Sequence, residues 1–261
     1  MNRKILCVIF VLSFSINSFA QFYLGSPFDE QKLQMRVKQL NQFFDRFNYE
    51  RDIENKAITG NKNRLERQHY IANLFNKEMV MNAPDSVFQI YMQFIETATD
   101  SLNPVYLHFA DTNWVAQADC KVMLKGKPAK ITLFLKTKQI AGDRYKWFVS
   151  DVAGDILNLQ PEKQGDDIMI SPVDNELNFM SLSSEMTNLH RKSIVNYMND
   201  GYKVDKISVF NSLIYYDLLK IEYVEQLVYH FNQVRGFIFS VTHFERQSDN
   251  VGWLISNVLE K

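Results

Sequence analysis

The chain has 261 residues, of which 46% are hydrophobic and 23% charged, and its formal net charge at pH 7 is −1. A balance this close to neutral argues against a nucleic-acid-binding surface and against a polybasic membrane patch. The 20 Phe and 12 Tyr residues supply enough apolar surface for one or two hydrophobic cores.

Residues 1–20 have the pattern of a secretory signal peptide. A positively charged start is followed by an apolar run over 5–16. That run is shorter than the ~20 residues that span a bilayer, and Ser18 and Ala20 place small residues where a signal peptidase cleaves. The pattern predicts an exported chain that begins at Gln21. An uncleaved N-terminal anchor is the alternative.

The cysteine content indicates the compartment and the type of cell. Only Cys120 would remain after cleavage, so the exported chain would have no intramolecular disulfide. Secreted eukaryotic domains often carry several disulfides. We therefore expect a protein of the periplasm or exterior of a Gram-negative bacterium, with no integral membrane segment in the mature chain.

Periodicity predicts three helices and then four strands in the first part of the chain. The first helix begins at the Ser26 cap and carries an apolar stripe that ends at Phe47. The second is expected at 63–76, and the third begins near Asp85. Alternating apolar residues predict the strands at 104–109, 113–124, 129–139 and 144–153.

A domain boundary is expected at 158–176, which contains two prolines, a glycine and an acidic cluster. It separates a first domain, 21–157, from a shorter second domain, 177–261. The second domain repeats the order of the first, with one helix near 177–199 and another after Asp205. Its predicted strands are 220–232, 236–247 and 251–259.

A faint internal repeat relates the two domains at an offset of 106 residues. Segment 146–152 matches 252–258, with a tryptophan, a serine and a valine in the same places. At the same offset, the alternating residues of 131–135 fall on those of 237–241, and further upstream the copies drift by about one residue. Such a repeat indicates that one unit occurs twice.

The order of helices and then a meander, found in each half, indicates an α+β fold. It resembles the NTF2-like (cystatin-like) cone fold, whose last strand often reads Trp, apolar, apolar, Ser, then Asp or Asn, as at 147–151 and 253–257. The resemblance implies two such units, each with helices followed by a curved antiparallel β-meander. Trp147 and Trp253 would be the inward structural anchors. The chain is also similar in style to secreted Bacteroidetes proteins of unknown function.

Sequence motifs for catalysis, metals or cofactors are absent. The chain has no H-x-x-x-H, H-E-x-x-H, C-x-x-C or G-x-S-x-G string and no phosphate-binding glycine loop. Cys120 shares a strand face with apolar residues, and the adjacent Asp119 would raise its pKa, so we expect a core thiol. The acidic residues of 165–176 lack calcium-loop spacing. We therefore expect no cofactor and no metal.

Aromatic clusters and a pair of histidines form the candidate ligand or partner surface. Aromatic residues at helical spacing are usually core residues, and an apolar cavity or docking patch is the alternative. A tight hairpin near 234–236 would bring two histidines close enough for proton transfer or metal binding, although half-exposed sheet residues are the simpler interpretation. The candidates are Phe43, Phe47, Tyr49, Tyr215, Tyr216, His230 and His243.

The sequence favours a non-catalytic exported binding or protein-interaction module with an unknown protein or small ligand. One alternative is a small NTF2-like hydrolase or isomerase that uses polar groups inside one cone. Another is a structural subunit of an envelope assembly, in which chains would form a homodimer through their sheet faces.

The signal peptide leads to the first prediction. Intact-mass measurement of the protein recovered from outside the cytoplasm should give a chain that starts at Gln21. A recovered protein that retained residues 1–20 would contradict the predicted cleavage.

Overall fold

A computed structural model describes most of the chain. The described residues are 40–52, 56–60, 63–141, 144–158, 203–245, 250 and 252–261. The predicted signal peptide, the first part of the first helix, all of the linker 158–176 except its first residue, and the helix near 177–199 lie outside them.

The helices of the first half follow apolar spacing and local caps. Leu40, Phe43, Phe44 and Phe47 are all buried along one helical stripe. The Asn63 side chain caps the next helix by accepting a hydrogen bond from the backbone of Leu65 at 3.0 Å. The predicted second and third helices are confirmed, and α3 was not predicted. The helices are α1 (40–47), α2 (Arg64–Asn73), α3 (Lys77–Met81) and α4 (Asp85–Ala98).

Six strands form one open antiparallel sheet in the order β3-β2-β1-β4-β5-β6. α5 (Lys206–Tyr215) precedes the second group of three strands, and a short 3-10 turn (Asp155–Leu157) follows the first group. The strands are β1 (Trp114–Leu124), β2 (Lys127–Ala141), β3 (Arg144–Ala153), β4 (Leu219–Phe231), β5 (Phe237–Phe244) and β6 (Gly252–Glu260).

The two predicted meanders share this sheet. Their first strands, β1 and β4, pair along their whole length, from Trp114 opposite Phe231 to Leu124 opposite Leu219. The buried apolar residues of both halves belong to one core cluster. The fold is therefore mixed helix and sheet with a single antiparallel sheet. In the described residues, no helix is both long and apolar enough to cross a membrane.

The repeat predicted from the sequence is visible in the second hairpin of each meander. Thr137 pairs with Trp147, and at an offset of 106 residues His243 pairs with Trp253. Both ladders shift register at the same place, beside Ser150 and Ser256 respectively. These serines donate to the carbonyl oxygens of Phe134 at 3.0 Å and Ser240 at 3.3 Å, two more equivalent positions.

Upstream of these hairpins the copies drift more than the sequence suggested. In the first meander Ala116 pairs with Leu135, whereas in the second Val241, the counterpart of Leu135, pairs with Tyr229. The difference reflects the connection between the paired strands, which is a two-residue turn at 125–126 but a longer loop at 232–236.

The core lies between the helices and one face of the sheet. Aromatic rings of α1 reach the second meander directly: Phe47 stacks on Phe239 with ring centroids 5.8 Å apart, and Phe43 stacks on Phe231 at 6.3 Å. Phe231 also stacks on Trp114 of β1 at 5.5 Å. Phe44 of α1 packs edge to face on Trp114 with ring centroids 5.9 Å apart, so the first helix contacts both halves of the sheet.

The prediction of a strand at 104–109 is wrong. The backbone of this segment forms hydrogen bonds with side chains instead of with a neighbouring strand. Asn48 is buried and exchanges two hydrogen bonds with the backbone of Leu107, at 2.8 and 2.9 Å. The guanidinium of Arg67, also buried, donates to the carbonyl of Val105. Residues 104–109 belong to neither a helix nor a strand.

We predict that Asn48→Ala lowers the free energy of unfolding by about 1–3 kcal/mol, because the polar backbone groups of Leu107 stay buried without their partner. Urea unfolding at neutral pH measures the change. Asn103→Ala is the matched control, since Asn103 is exposed in the same loop, and it should change stability by less than about 0.5 kcal/mol. Equal effects of the two substitutions would contradict this role for Asn48.

Candidate functional site

The face of the sheet opposite the core carries a row of polar side chains. Period-2 alternation puts Gln117 and Asp119 of β1 on this face, because Trp114, Ala116, Ala118 and Cys120 point into the core. The neighbouring strands add four more half-buried polar side chains. We call this the polar face, and it comprises Gln117, Asp119, Thr132, His230, Ser240 and Thr242.

A chain of hydrogen bonds links five of these side chains across four strands, and the sixth, Thr242, bonds to the hydroxyl of Ser256 at 2.9 Å. Thr132 Oγ1 donates to Asp119 Oδ1 at 2.7 Å, and Gln117 Nε2 donates to the same carboxylate at 3.3 and 3.4 Å. Gln117 Oε1 lies 2.9 Å from His230 Nε2, and His230 Nδ1 lies 2.9 Å from Ser240 Oγ. The chain fixes the position of every member.

The direction of the chain sets the tautomer of His230. The amide nitrogen of Gln117 faces the Asp119 carboxylate, so its oxygen accepts from Nε2–H of the imidazole. Nδ1 is then the acceptor for the Ser240 hydroxyl. Burial lowers the pKa of His230, and the negative charge of Asp119 opposes that shift. A neutral imidazole fits this arrangement.

An open pocket of about 780 Å³ adjoins this chain, at the seam between the two meanders. We call it the seam pocket. Its lining includes Asp119, Lys130, Thr132 and Glu225, together with Thr242 of β5. The groups are charged or hydroxyl-bearing, so the pocket offers both donors and acceptors. Neither His230 nor Ser240 lines it, which favours a structural role for their hydrogen bond over a catalytic one.

A small ion-pair cluster lies at the edge of the seam pocket. Lys130 Nζ lies 2.8 Å from Glu225 Oε2, and Lys121 Nζ lies 3.5 Å from Glu225 Oε1. The hydrogen bond from Lys130 holds the pKa of Glu225 below its usual value. All three groups are solvent-accessible, so the cluster orders the edge of the pocket more than it stabilises the fold.

The aromatic candidates near α1 are core residues. Phe43, Phe47 and Tyr49 are 2%, 0% and 6% exposed, so they offer no ligand surface. The Tyr49 hydroxyl donates to Glu66, and this hydrogen bond raises the pKa of Tyr49 to about 12. These three residues follow the usual behaviour of aromatic residues at helical spacing, which is to lie in the core.

The tyrosines at the end of α5 are placed differently. Tyr215 and Tyr216 are 77% and 68% exposed, and their rings meet edge to face at 5.1 Å. They are therefore available to a partner, but they do not line the seam pocket.

The structure does not bring His230 and His243 together. His230 lies on the polar face outside the seam pocket, whereas His243 packs against Trp253 with ring centroids 5.3 Å apart and lines that pocket. Trp253 is buried, as expected of an inward anchor. Trp147 contacts Trp114 at 5.1 Å but remains 40% exposed, because β3 is the outermost strand.

Cys120 is buried, as its strand position predicted. Burial raises its pKa to about 11, with a further contribution from Asp119. A thiol in this state is a poor nucleophile. In the part of the chain that the structure describes, no group of three or more His, Cys, Asp or Glu side chains is placed to hold a metal ion.

Sequence reasoning missed the polar face as a unit. Gln117 and Ser240 were not candidates, and Asp119 was considered only as a neighbour of Cys120. The available signal was the alternation of polar residues at 117, 119 and 121 opposite an apolar set. It identifies a polar face but not the strands that lie beside it.

Comparisons with known proteins leave the function open. No family model matches the chain, and neither a curated protein nor a solved structure matches it.

We predict that His230 makes stability fall on acidification. Its pKa is lowered in the folded chain, so the unfolded chain binds more protons as the pH falls below about 6.5. His230→Asn should therefore lose less unfolding free energy than the wild type between pH 7.5 and 5.5, as measured by urea unfolding. His69→Asn is the control, because His69 is exposed on α2, and it should keep the wild-type slope. An unchanged slope in the His230 variant would contradict the prediction.

Proposed function

We propose that this protein is an exported, non-catalytic binding module whose ligand site is the seam pocket. The observation that carries the proposal is a pocket of about 780 Å³ in which charged and hydroxyl side chains converge from both meanders. That volume falls within the ~300–1,000 Å³ range of ligand sites in proteins.

The lining is built to hold its polar groups in place. Asp119 accepts hydrogen bonds from Thr132 and Gln117, and Glu225 is fixed by two lysines. Ordered donors and acceptors lose little entropy when a ligand binds, which supports specific recognition. A nucleophile activated by a base inside the pocket would support the hydrolase alternative, but the hydroxyl bonded to His230 belongs to Ser240, which does not line the pocket.

We further propose that each meander is one copy of a repeated NTF2-like unit. The equal register of the β2–β3 and β5–β6 hairpins at an offset of 106 residues supports the duplication. The shared position of Ser150 and Ser256 beside the register shift supports it as well. On this proposal the seam pocket is a composite site that only the joined pair of units can form.

A thermal-shift screen of residues 21–261 against peptides, glycans, metabolites and metals tests the binding proposal. We expect a stabilising ligand whose affinity drops at least tenfold in Gln226→Trp, because Gln226 is exposed in the pocket lining and an indole would fill the space. Gln139→Trp is the control, since Gln139 is exposed on β2 away from the pocket. A ligand that binds both variants like the wild type would place the site elsewhere and contradict the proposal.

A further inference from the structure

One wall of the seam pocket is an open strand edge. β5 pairs with β4 only from Val228 opposite Thr242 to Phe231 opposite Phe239. From Leu219 to Leu227, β4 pairs with β1 on its other side. Among the described residues, the backbone N–H and C=O groups of this stretch that point away from β1 have no strand partner.

Two β-bulges lie in the part of β4 that is not paired with β5. The register of β4 against β1 shifts once beside Asp119 and again beside Lys121, which leaves Glu225 and Glu222 as the extra residues of β4. A bulge bends its strand and increases the local twist, and the β4–β5 ladder ends at Val228, three residues after the bulge at Glu225. Both glutamates are exposed.

Only the second meander has this separation between its first two strands in the part of the chain that the structure describes. In the first meander the corresponding strands, β1 and β2, stay paired from Ala116 opposite Leu135 to Leu124 opposite Lys127. In the second, residues 226–227 of β4 and 242–243 of β5, where the pairing of the two strands ends, both line the seam pocket. The pocket therefore lies where the two strands separate.

The charges of the lining favour a basic ligand. Among the described lining residues, Asp119, Asp155 and Glu225 carry negative charge and Lys130 carries positive charge, and Lys121 at the edge of the pocket adds a second positive charge. Because Lys130 and Lys121 both bind Glu225, a ligand would meet the carboxylates of Asp119 and Asp155. A site of this sign attracts cationic groups.

We propose that the seam pocket binds an extended polypeptide segment with basic side chains, which adds as a strand to the open edge of β4. This inference rests on the proposed function and names the ligand class. Strand addition draws its affinity from main-chain hydrogen bonds and its specificity from pockets for alternate side chains. Here the edge of β4 supplies the main-chain hydrogen bonds, and the carboxylates of the pocket select the side chains.

Isothermal titration of residues 21–261 with a blocked heptapeptide of alternating lysine and threonine tests the inference. Two further peptides carry N-methyl groups on all lysine amides or on all threonine amides. Since alternate N–H groups of a strand point to the same edge, each methylation pattern blocks one edge. We expect the unmodified peptide to bind, and at least one methylated peptide to bind at least tenfold more weakly.

Substitutions in the protein test whether the peptide binds in the seam pocket. Gln226→Trp should weaken the unmodified peptide at least tenfold, and Asp155→Asn should weaken it several-fold, because it removes one carboxylate of the lining. Asp217→Asn is the matched control, since Asp217 is exposed outside the lining and should bind like the wild type. A peptide of alternating glutamate and threonine should bind at least tenfold more weakly than the lysine peptide.

Failure of the inference can be separated from failure of the proposed function. Equal binding of the unmodified and both methylated peptides would overturn strand addition. If the lysine peptide does not bind, but another ligand from the screen binds and loses affinity in Gln226→Trp, the peptide inference alone would be overturned. Failure of every ligand in the screen as well as the peptide would overturn both.

Discussion

The pairing of β1 with β4 is the interaction on which the rest of the structure depends. It joins two three-stranded meanders into one sheet, so that both meanders contribute to one core face and the polar face extends across β2, β1, β4 and β5. Because the core face is continuous, the aromatic residues of α1 can pack on Phe231 and Phe239 of the second meander. The polar face is continuous for the same reason, and it therefore carries one hydrogen-bond chain that crosses both meanders.

The repeated string of Trp, two apolar residues and Ser has a structural explanation in both copies. Each serine lies where its strand shifts register, and its hydroxyl donates to a carbonyl of the neighbouring strand. Such a bond satisfies a backbone acceptor where the ladder is interrupted. The two tryptophans differ because Trp253 packs on Tyr229 inside the core, whereas Trp147 belongs to the edge strand. The string therefore indicates a hairpin geometry and carries no chemistry of its own.

The polar face and the seam pocket depend on each other. Asp119 accepts hydrogen bonds from Gln117 and Thr132 within the hydrogen-bond chain and also lines the pocket, so the chain holds one of the pocket's carboxylates in place. The bulges at Glu222 and Glu225 interrupt the regular ladder at the same part of the sheet. Bulges are common next to binding sites because they redirect side chains and end strand pairing. The hydrogen-bond chain fixes polar groups of the pocket, and the bulges interrupt the β-ladder beside them. These two features together are the physical basis for proposing a binding site here.

Local periodicity by itself determined the helices α2, α4 and α5, all six strands, the buried position of Cys120 and the equivalence of the two terminal hairpins. These features depend on residues close together in the chain, where 3.6- and 2-residue repeats are decisive. Only the tertiary structure decided that β1 pairs with β4 and that segment 104–109 bonds to Asn48 and Arg67. It likewise placed His230 beside Gln117, which is 113 residues away in the sequence. Alternation shows which side chains share a face of a strand, but the neighbouring strand is chosen by packing and register across the whole sheet.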